Sequence, residues 1–125
     1  MRSIVAVDFD GTLCESNYPF IGKANEGLIS YLQYRKNTLN DILILWTCRN
    51  GELLDKAIDW CKSNGLIFDY VNENSKEAID KFGGDTRKIY ADIYIDDKNA
   101  WYSSRKKMLY RRSPYSSKEG DKEPL

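Results

Sequence analysis

Histidine is absent from this chain of 125 residues, and its absence narrows the chemistry that the protein can perform. Catalytic triads that depend on an imidazole and metal sites that use histidine ligands are both excluded. A metal ion would need oxygen ligands, which suits hard cations such as Mg²⁺. The candidate functional residues should therefore be sought among carboxylates and hydroxyls.

Cysteine is scarce, and long apolar runs are missing. Three cysteines, Cys14, Cys48 and Cys61, show no spacing typical of a zinc site, and no signal peptide precedes them. We therefore expect free thiols and a cytoplasmic location. No apolar run approaches the roughly 20 residues that cross a bilayer, so we expect no membrane partner.

The charges balance over the whole chain but not along it. Lys and Arg number 19, as do Asp and Glu, yet seven basic and only three acidic residues follow residue 101. The basic runs at residues 105–107 and 111–112 could contact a nucleic-acid backbone, although an edge strand protected by charge is the favoured interpretation. Ser, Lys, Glu and Gly dominate beyond residue 112, so we expect a disordered tail over residues 113–125.

Short apolar runs alternate with segments of helical spacing. Runs at residues 4–7, 42–46 and 89–95 have the length of buried strands, and a weaker one covers residues 66–71. The segments between them carry apolar residues at the helical period. This alternation predicts an α/β domain with a central parallel sheet of four or five strands, the fifth being an edge strand at residues 108–110.

Polar residues follow three of the predicted strands. Asp8 and Asp10 come after the first strand, Thr47 and Arg49 after the second, and Asp96 and Asp97 after the fourth. In wound parallel sheets, ligands bind at the carboxyl ends of the strands, where these residues would meet. Two acids one residue apart repel unless a cation or a shared proton relieves them. We therefore expect a metal site or an acid/base pair, with a simple Asp-Gly turn as the alternative.

With those strand ends in place, the sequence resembles the haloacid dehalogenase-like (HAD) superfamily of phosphohydrolases. Its motifs are matched by Asp-Phe-Asp-Gly-Thr at residues 8–12, by the apolar strand ending at Thr47, by Lys88, and by the acid pair at residues 96–97. The likeness covers about residues 3 to 100, and it is closest to small, mostly uncharacterised bacterial and phage members. It does not cover the tail.

The resemblance implies a fold in more detail. It implies a HAD-like hydrolase core over residues 1–112, built as a Rossmann-like three-layer sandwich with the strand order 5-4-1-2-3. Too few residues separate Leu13 from Ile42 for an inserted second domain, so no large cap domain is expected. The site would then be open, with residues 18–20 as its nearest cover.

The resemblance also implies catalytic roles. Asp8 would attack phosphorus and form an aspartyl-phosphate, while Asp10 would act as general acid and then general base. Thr47 and Lys88 would bind the transferring oxygens. The metal-binding set would be Asp8, Asp10 through its backbone carbonyl, Asp96 and Asp97, with Asp97 as a ligand or as an acid behind the ligands. The substrate-binding set would be Gly11, Thr12, Thr47, Cys48, Arg49 and Lys88.

Several of these assignments have alternatives. Arg49 could bind a second anion of the substrate, but a surface role or an ion pair with Glu52 fits its position equally well. Lys88 competes with Arg87, Lys76 and Lys81 for the lysine of the third motif. Thr47 could be no more than a hydroxyl at the end of a strand.

The implied function is a Mg²⁺-dependent phosphomonoester phosphatase that works as a monomer or a homodimer. Its expected partner is a small phosphorylated substrate, such as a nucleotide, or a nucleic-acid end. A non-catalytic phosphate-binding or regulatory module with the same fold is the alternative. A signalling receiver domain is disfavoured, because its phosphoacceptor would follow a middle strand, where this chain has Tyr70, Val71 and Asn72.

Overall fold

The computed structural model describes residues 2–112 and 123–124. The elements in chain order are β1 (Ile4–Val7), α1 (Glu26–Asn37), β2 (Ile42–Leu45), α2 (Gly51–Ser63), β3 (Tyr70–Val71), α3 (Lys76–Phe82), β4 (Ile93–Ile95), β5 (Asn99–Ser103), β6 (Met108–Arg112) and β7 (Glu123–Pro124). The predicted tail at residues 113–125 lies outside the described residues, except for β7, which pairs with β6. None of the described helices is long and apolar enough to cross a bilayer.

A four-stranded parallel sheet in the order β3-β2-β1-β4 forms the centre of the fold. The predicted α/β class with a central parallel sheet is confirmed. The predicted order 5-4-1-2-3 is wrong, because the fifth strand does not join this sheet. Residues 108–112 instead pair antiparallel with β5 in a separate sheet of order β5-β6-β7.

The local pairing of β6 with β5 explains why β6 does not join the parallel sheet. A further parallel strand needs a crossover of about a dozen residues or more. Residues 96–107 lie between Ile95 and Met108, but Asn99–Ser103 form β5, so this segment does not carry the chain back to the other end of the sheet. A hairpin forms locally, with Ser103 paired to Met108 next to its loop.

The central strands are buried on both faces, which is why their sequences are uninterrupted apolar runs. Every residue of β1 and β2 is buried. One face, including Val5 and Leu43, packs on Leu32 of α1 and Cys61 of α2. The opposite face packs on α3 through Ala78.

The strand register brings the segments that follow β1, β2 and β4 to one edge of the sheet. Val7 is the register partner of both Leu45 and Ile95. The pairing continues one step further, because Asp8 N donates to Ile95 O and Trp46 N donates to Val7 O, both at 2.9 Å. The polar residues that follow these strands therefore leave the sheet side by side.

Candidate functional site

Three aspartates meet at this edge. Asp8 follows β1, while Asp96 and Asp97 follow the neighbouring strand β4, and one carboxylate oxygen from each lies within 4.8 Å of the others. Asp97 Oδ1 is buried and has no hydrogen-bond partner among the described residues. Buried polar atoms are seldom left in that state. An oxygen-only donor set with an unsatisfied carboxylate oxygen fits a hard divalent cation such as Mg²⁺.

The electrostatics of this acidic cluster (Asp8, Asp96 and Asp97) favour the protonated form of Asp8. The pKa of Asp8 is raised from 3.8 to about 7, chiefly by burial and next by the charge of Asp96. The Thr12 hydroxyl, which donates to Asp8 Oδ2 at 3.0 Å, works against this rise. A divalent cation would favour the ionised carboxylate and reverse the effect.

Gly11 and Thr12 are buried beside the acidic cluster and do not line the cleft. The Thr12 hydroxyl donates to Asp8 and accepts from Asp97 N, each at 3.0 Å, so it ties the end of β1 to the end of β4. Gly11 has φ of +84°, and a Cβ at this position would lie 2.3 Å from Asp97 Oδ2. Only glycine suits both the conformation and the close approach.

Asp10 is engaged by Arg49 rather than by the acidic cluster. Its carboxylate accepts from Arg49 Nε and Nη2, both at 2.8 Å. Arg49 is only 2% exposed, which contradicts the alternative of a surface role, and its ion pair is with Asp10 rather than with Glu52. Arg49 Nη2 also donates to Phe20 O at 3.1 Å. The guanidinium thus joins Asp10 to the loop that follows the first motif.

An open cleft of about 390 Å³ lies over these groups. The cleft is lined by Asp8, Asp10, Ser16, Tyr18, Thr47, Cys48, Arg49, Asp96, Asp97 and Lys98. It therefore brings together most of the side chains that the sequence placed at a site. Cys48 is exposed within it, whereas Cys14 is buried.

Thr47 lies on the β2 side of the cleft. Its hydroxyl oxygen accepts from Arg49 N at 3.1 Å, and its own N–H donates to Asn72 Oδ1 at 2.8 Å. These two bonds fix the turn after β2. The hydroxyl can still donate its proton to an anion in the cleft.

The lysine at the cleft is Lys98, not Lys88. Lys88 is exposed, lies before the amino end of β4, and has its ammonium 5.9 Å from the centroid of the Tyr94 ring. It does not line the cleft, and neither do Lys76, Lys81 or Arg87. The site is at the opposite, carboxyl end of β4.

Sequence reasoning missed Lys98, although it directly follows the acid pair. Its ammonium lies 3.1 Å from Asp97 Oδ2, and this contact raises the pKa of Lys98. The signal that could have found Lys98 is its position, since a residue next to a strand-end motif reaches the site more easily than one that precedes the strand.

Comparison with known proteins identifies one similar solved structure. It is described as the "structure of the conserved protein coded by locus from Bacteroides thetaiotaomicron". The TM-score is 0.70 at 41% sequence identity, and the match covers 79% of this chain and 78% of that chain. No family model matches the sequence. No curated protein matches it either.

Proposed function

The chain belongs to the family of that conserved protein from Bacteroides thetaiotaomicron, and we propose that it is a Mg²⁺-dependent phosphohydrolase of the HAD type. The observation that carries the proposal is the convergence of Asp8, Asp96 and Asp97 within 4.8 Å at the carboxyl edge of a parallel sheet. With it we propose a Rossmann-like three-layer arrangement, because helices pack on both faces of the sheet.

The donor set fits Mg²⁺, and the carboxylates of Asp8, Asp96 and Asp97, with the backbone carbonyl of Asp10, would hold it. When bound, the ion would neutralise charge on the phosphoryl oxygens and keep Asp8 ionised. The buried, unsatisfied oxygen of Asp97 supports a cation at this position.

The reaction assigns separate roles to the two acids of the first motif. Asp10 enters the reaction protonated. An ionised oxygen of Asp8 attacks phosphorus, and the bond from phosphorus to the leaving oxygen breaks as Asp10 gives that oxygen its proton, which leaves Asp10 as a carboxylate bound by Arg49. In the second step Asp10 takes a proton from water. The water oxygen then attacks phosphorus, which releases phosphate and restores the Asp8 carboxylate.

The other cleft residues position charge and hydrogen bonds. The Thr47 hydroxyl and the Lys98 ammonium bind the transferring oxygens, whose charge grows in the transition state. Lys98 takes the role that the resemblance gave to Lys88, because Lys98 lines the cleft. Arg49 positions Asp10 through its two hydrogen bonds.

A non-catalytic phosphate-binding module is the second candidate. The observation that favours it is the engagement of both Asp10 oxygens by Arg49, which is also typical of a purely structural ion pair. The two candidates differ in turnover, because only the hydrolase releases phosphate.

The deciding experiment is hydrolysis of 4-nitrophenyl phosphate with Mg²⁺ and with EDTA. We expect turnover that needs Mg²⁺ and that falls by about 10³-fold or more in Asp8→Asn, which removes the nucleophile. Asp55→Asn is the matched control, since this exposed aspartate of α2 does not line the cleft. Equal rates for Asp8→Asn and Asp55→Asn would refute the nucleophile assignment. Absence of turnover with retained phosphate binding would favour the second candidate.

A further inference from the structure

One wall of the cleft has no role in the phosphoryl chemistry. Tyr18 lines the cleft, and its side chain is 61% exposed. Tyr18 is the aromatic residue among those that line the cleft, and the others are small, polar or charged. Small-molecule sites commonly combine an aromatic side chain with a few polar groups, as this cleft does.

The Arg49 guanidinium packs against the Tyr18 ring. The Cζ atom of Arg49 lies over the ring, 5.2 Å from its centroid, and also lies 5.0 Å from the centroid of the buried Phe9 ring. Asp10 and Phe20 O hold the guanidinium in place. One face of Tyr18 is thus covered by a fixed planar group. Stacking on the exposed face would cost little further ordering.

The position of Asp10 indicates which part of the substrate lies near the Tyr18 ring. Asp10 protonates the leaving oxygen in the proposed reaction, and the guanidinium that binds Asp10 is the one that backs Tyr18. The acidic cluster takes the phosphoryl group. The leaving group therefore lies on the Tyr18 side of the cleft.

We propose that the substrate is a phosphomonoester whose leaving group carries a planar aromatic ring, and that this ring stacks on the exposed face of Tyr18. The inference rests on the proposed function. The cleft volume of about 390 Å³ lies in the usual range for a small-molecule site. An aryl ester and a nucleotide base share the required chemistry, and the experiment separates them.

The test compares phenyl phosphate with cyclohexyl phosphate, which has a ring of similar size that is not planar. The ratio of the variant's KM to the native KM is taken for each ester, so that intrinsic differences between the two esters cancel. Because stacking on an aromatic side chain strengthens the binding of a planar ring, we expect Tyr18→Ala to raise KM for phenyl phosphate about tenfold. The KM for cyclohexyl phosphate should change less than twofold.

Two control variants isolate the ring. Tyr18→Phe keeps the ring and should behave like the native protein. Phe20→Ala removes another exposed ring of the same loop that does not line the cleft, and it should leave both KM values unchanged. If Tyr18 served only to support Arg49 and Asp10, Tyr18→Ala would lower kcat equally for both esters, and the stacking proposal would be overturned. Equal KM values before and after the substitution would overturn it as well.

A binding arm keeps this result separate from the question of hydrolysis. Phenylphosphonate and cyclohexylphosphonate are titrated into the native protein and into Tyr18→Ala in the presence of Mg²⁺. A preference for the phenyl compound that Tyr18→Ala abolishes supports the stacking even if no ester is hydrolysed, and no preference overturns it. Repeating the kinetic comparison with uridine 5′-monophosphate distinguishes an aryl ester from a nucleotide. The ester whose KM rises more in Tyr18→Ala is the one whose ring stacks on Tyr18.

Discussion

Arg49 holds Asp10 through two hydrogen bonds of 2.8 Å, although the residues are 39 positions apart in the chain. The Arg49 side chain is 1% exposed and the Asp10 side chain 21%. We expect Arg49→Met to lower the free energy of unfolding by about 3 kcal/mol, because it leaves a partly buried carboxylate unpaired. Urea denaturation measures the change.

A double-mutant cycle checks the cause of that loss. The pair Arg49→Met and Asp10→Asn should be less destabilised than the sum of the two single variants. Arg49→Lys should restore only part of the stability, because an ammonium cannot form both hydrogen bonds in one plane. Simple additivity in the cycle would show that the two side chains act independently.

Gly11→Ala should disturb the acidic cluster. The new methyl group would stand 2.3 Å from Asp97 Oδ2, at a residue whose φ is +84°. We expect a loss of about 2 kcal/mol in stability and weaker Mg²⁺ binding, measured by thermal denaturation and by calorimetric titration. Gly84→Ala is the matched control, since nothing lies within 4 Å of a Cβ there. A Gly11→Ala protein with native Mg²⁺ affinity would contradict the proposed position of Asp97.

Asp8 makes the stability of the metal-free protein depend on pH. Its pKa is raised from 3.8 to about 7, so the folded state binds more protons than the unfolded state between these values. Stability should therefore fall as the pH rises from 4 to 7, by an amount on the order of 2 kcal/mol. Urea denaturation in EDTA at pH 5 and pH 8 measures this loss.

The Asp8→Asn variant and Mg²⁺ provide the controls for the pH effect. Asp8→Asn should show a flatter dependence, because its amide does not titrate. Millimolar Mg²⁺ should restore stability at pH 8 in the native protein, since binding to the folded state alone stabilises it. A native protein in EDTA that becomes more stable between pH 5 and pH 8 would contradict the environment described for Asp8.

The two candidate lysines give opposite expectations. Lys98→Ala should lower kcat/KM for 4-nitrophenyl phosphate by about 10²-fold, because it removes a cation from the cleft. Lys88→Ala should change kcat/KM less than twofold, since Lys88 does not line the cleft. Steady-state kinetics with both variants decides between them, and a reversed order would return the role to Lys88.

The first motif shows how far sequence periodicity can lead. The alternation of a strand predicts that Asp8 and Asp10 point to one spot, provided that the strand continues. In the structure the pairing ends with Asp8, and the chain then turns, with Thr12 N and Leu13 N both donating to Phe9 O. Asp8 joins the acidic cluster, while Asp10 turns to Arg49. No local sequence pattern predicts that Asp10 pairs with a residue 39 positions away.

The fifth strand and the lysine failed for a related reason. Both predictions rested on residue type and order, which do not show where a residue lies relative to the two ends of β4. Residues 99–103 form β5, which pairs antiparallel with β6, so β6 lies in a separate sheet. Lys88 lies on the wrong side of β4. The sheet itself was predictable, because strands buried on both faces leave uninterrupted apolar runs.

The hydrogen bond from Asp8 N to Ile95 O has a practical consequence. Asp8, the proposed nucleophile, is itself hydrogen-bonded to β4, so main-chain pairing between the two strands fixes its position. Heat inactivation and the loss of β-sheet signal should then follow the same melting curve. An activity assay would serve as a direct report of folding for this protein.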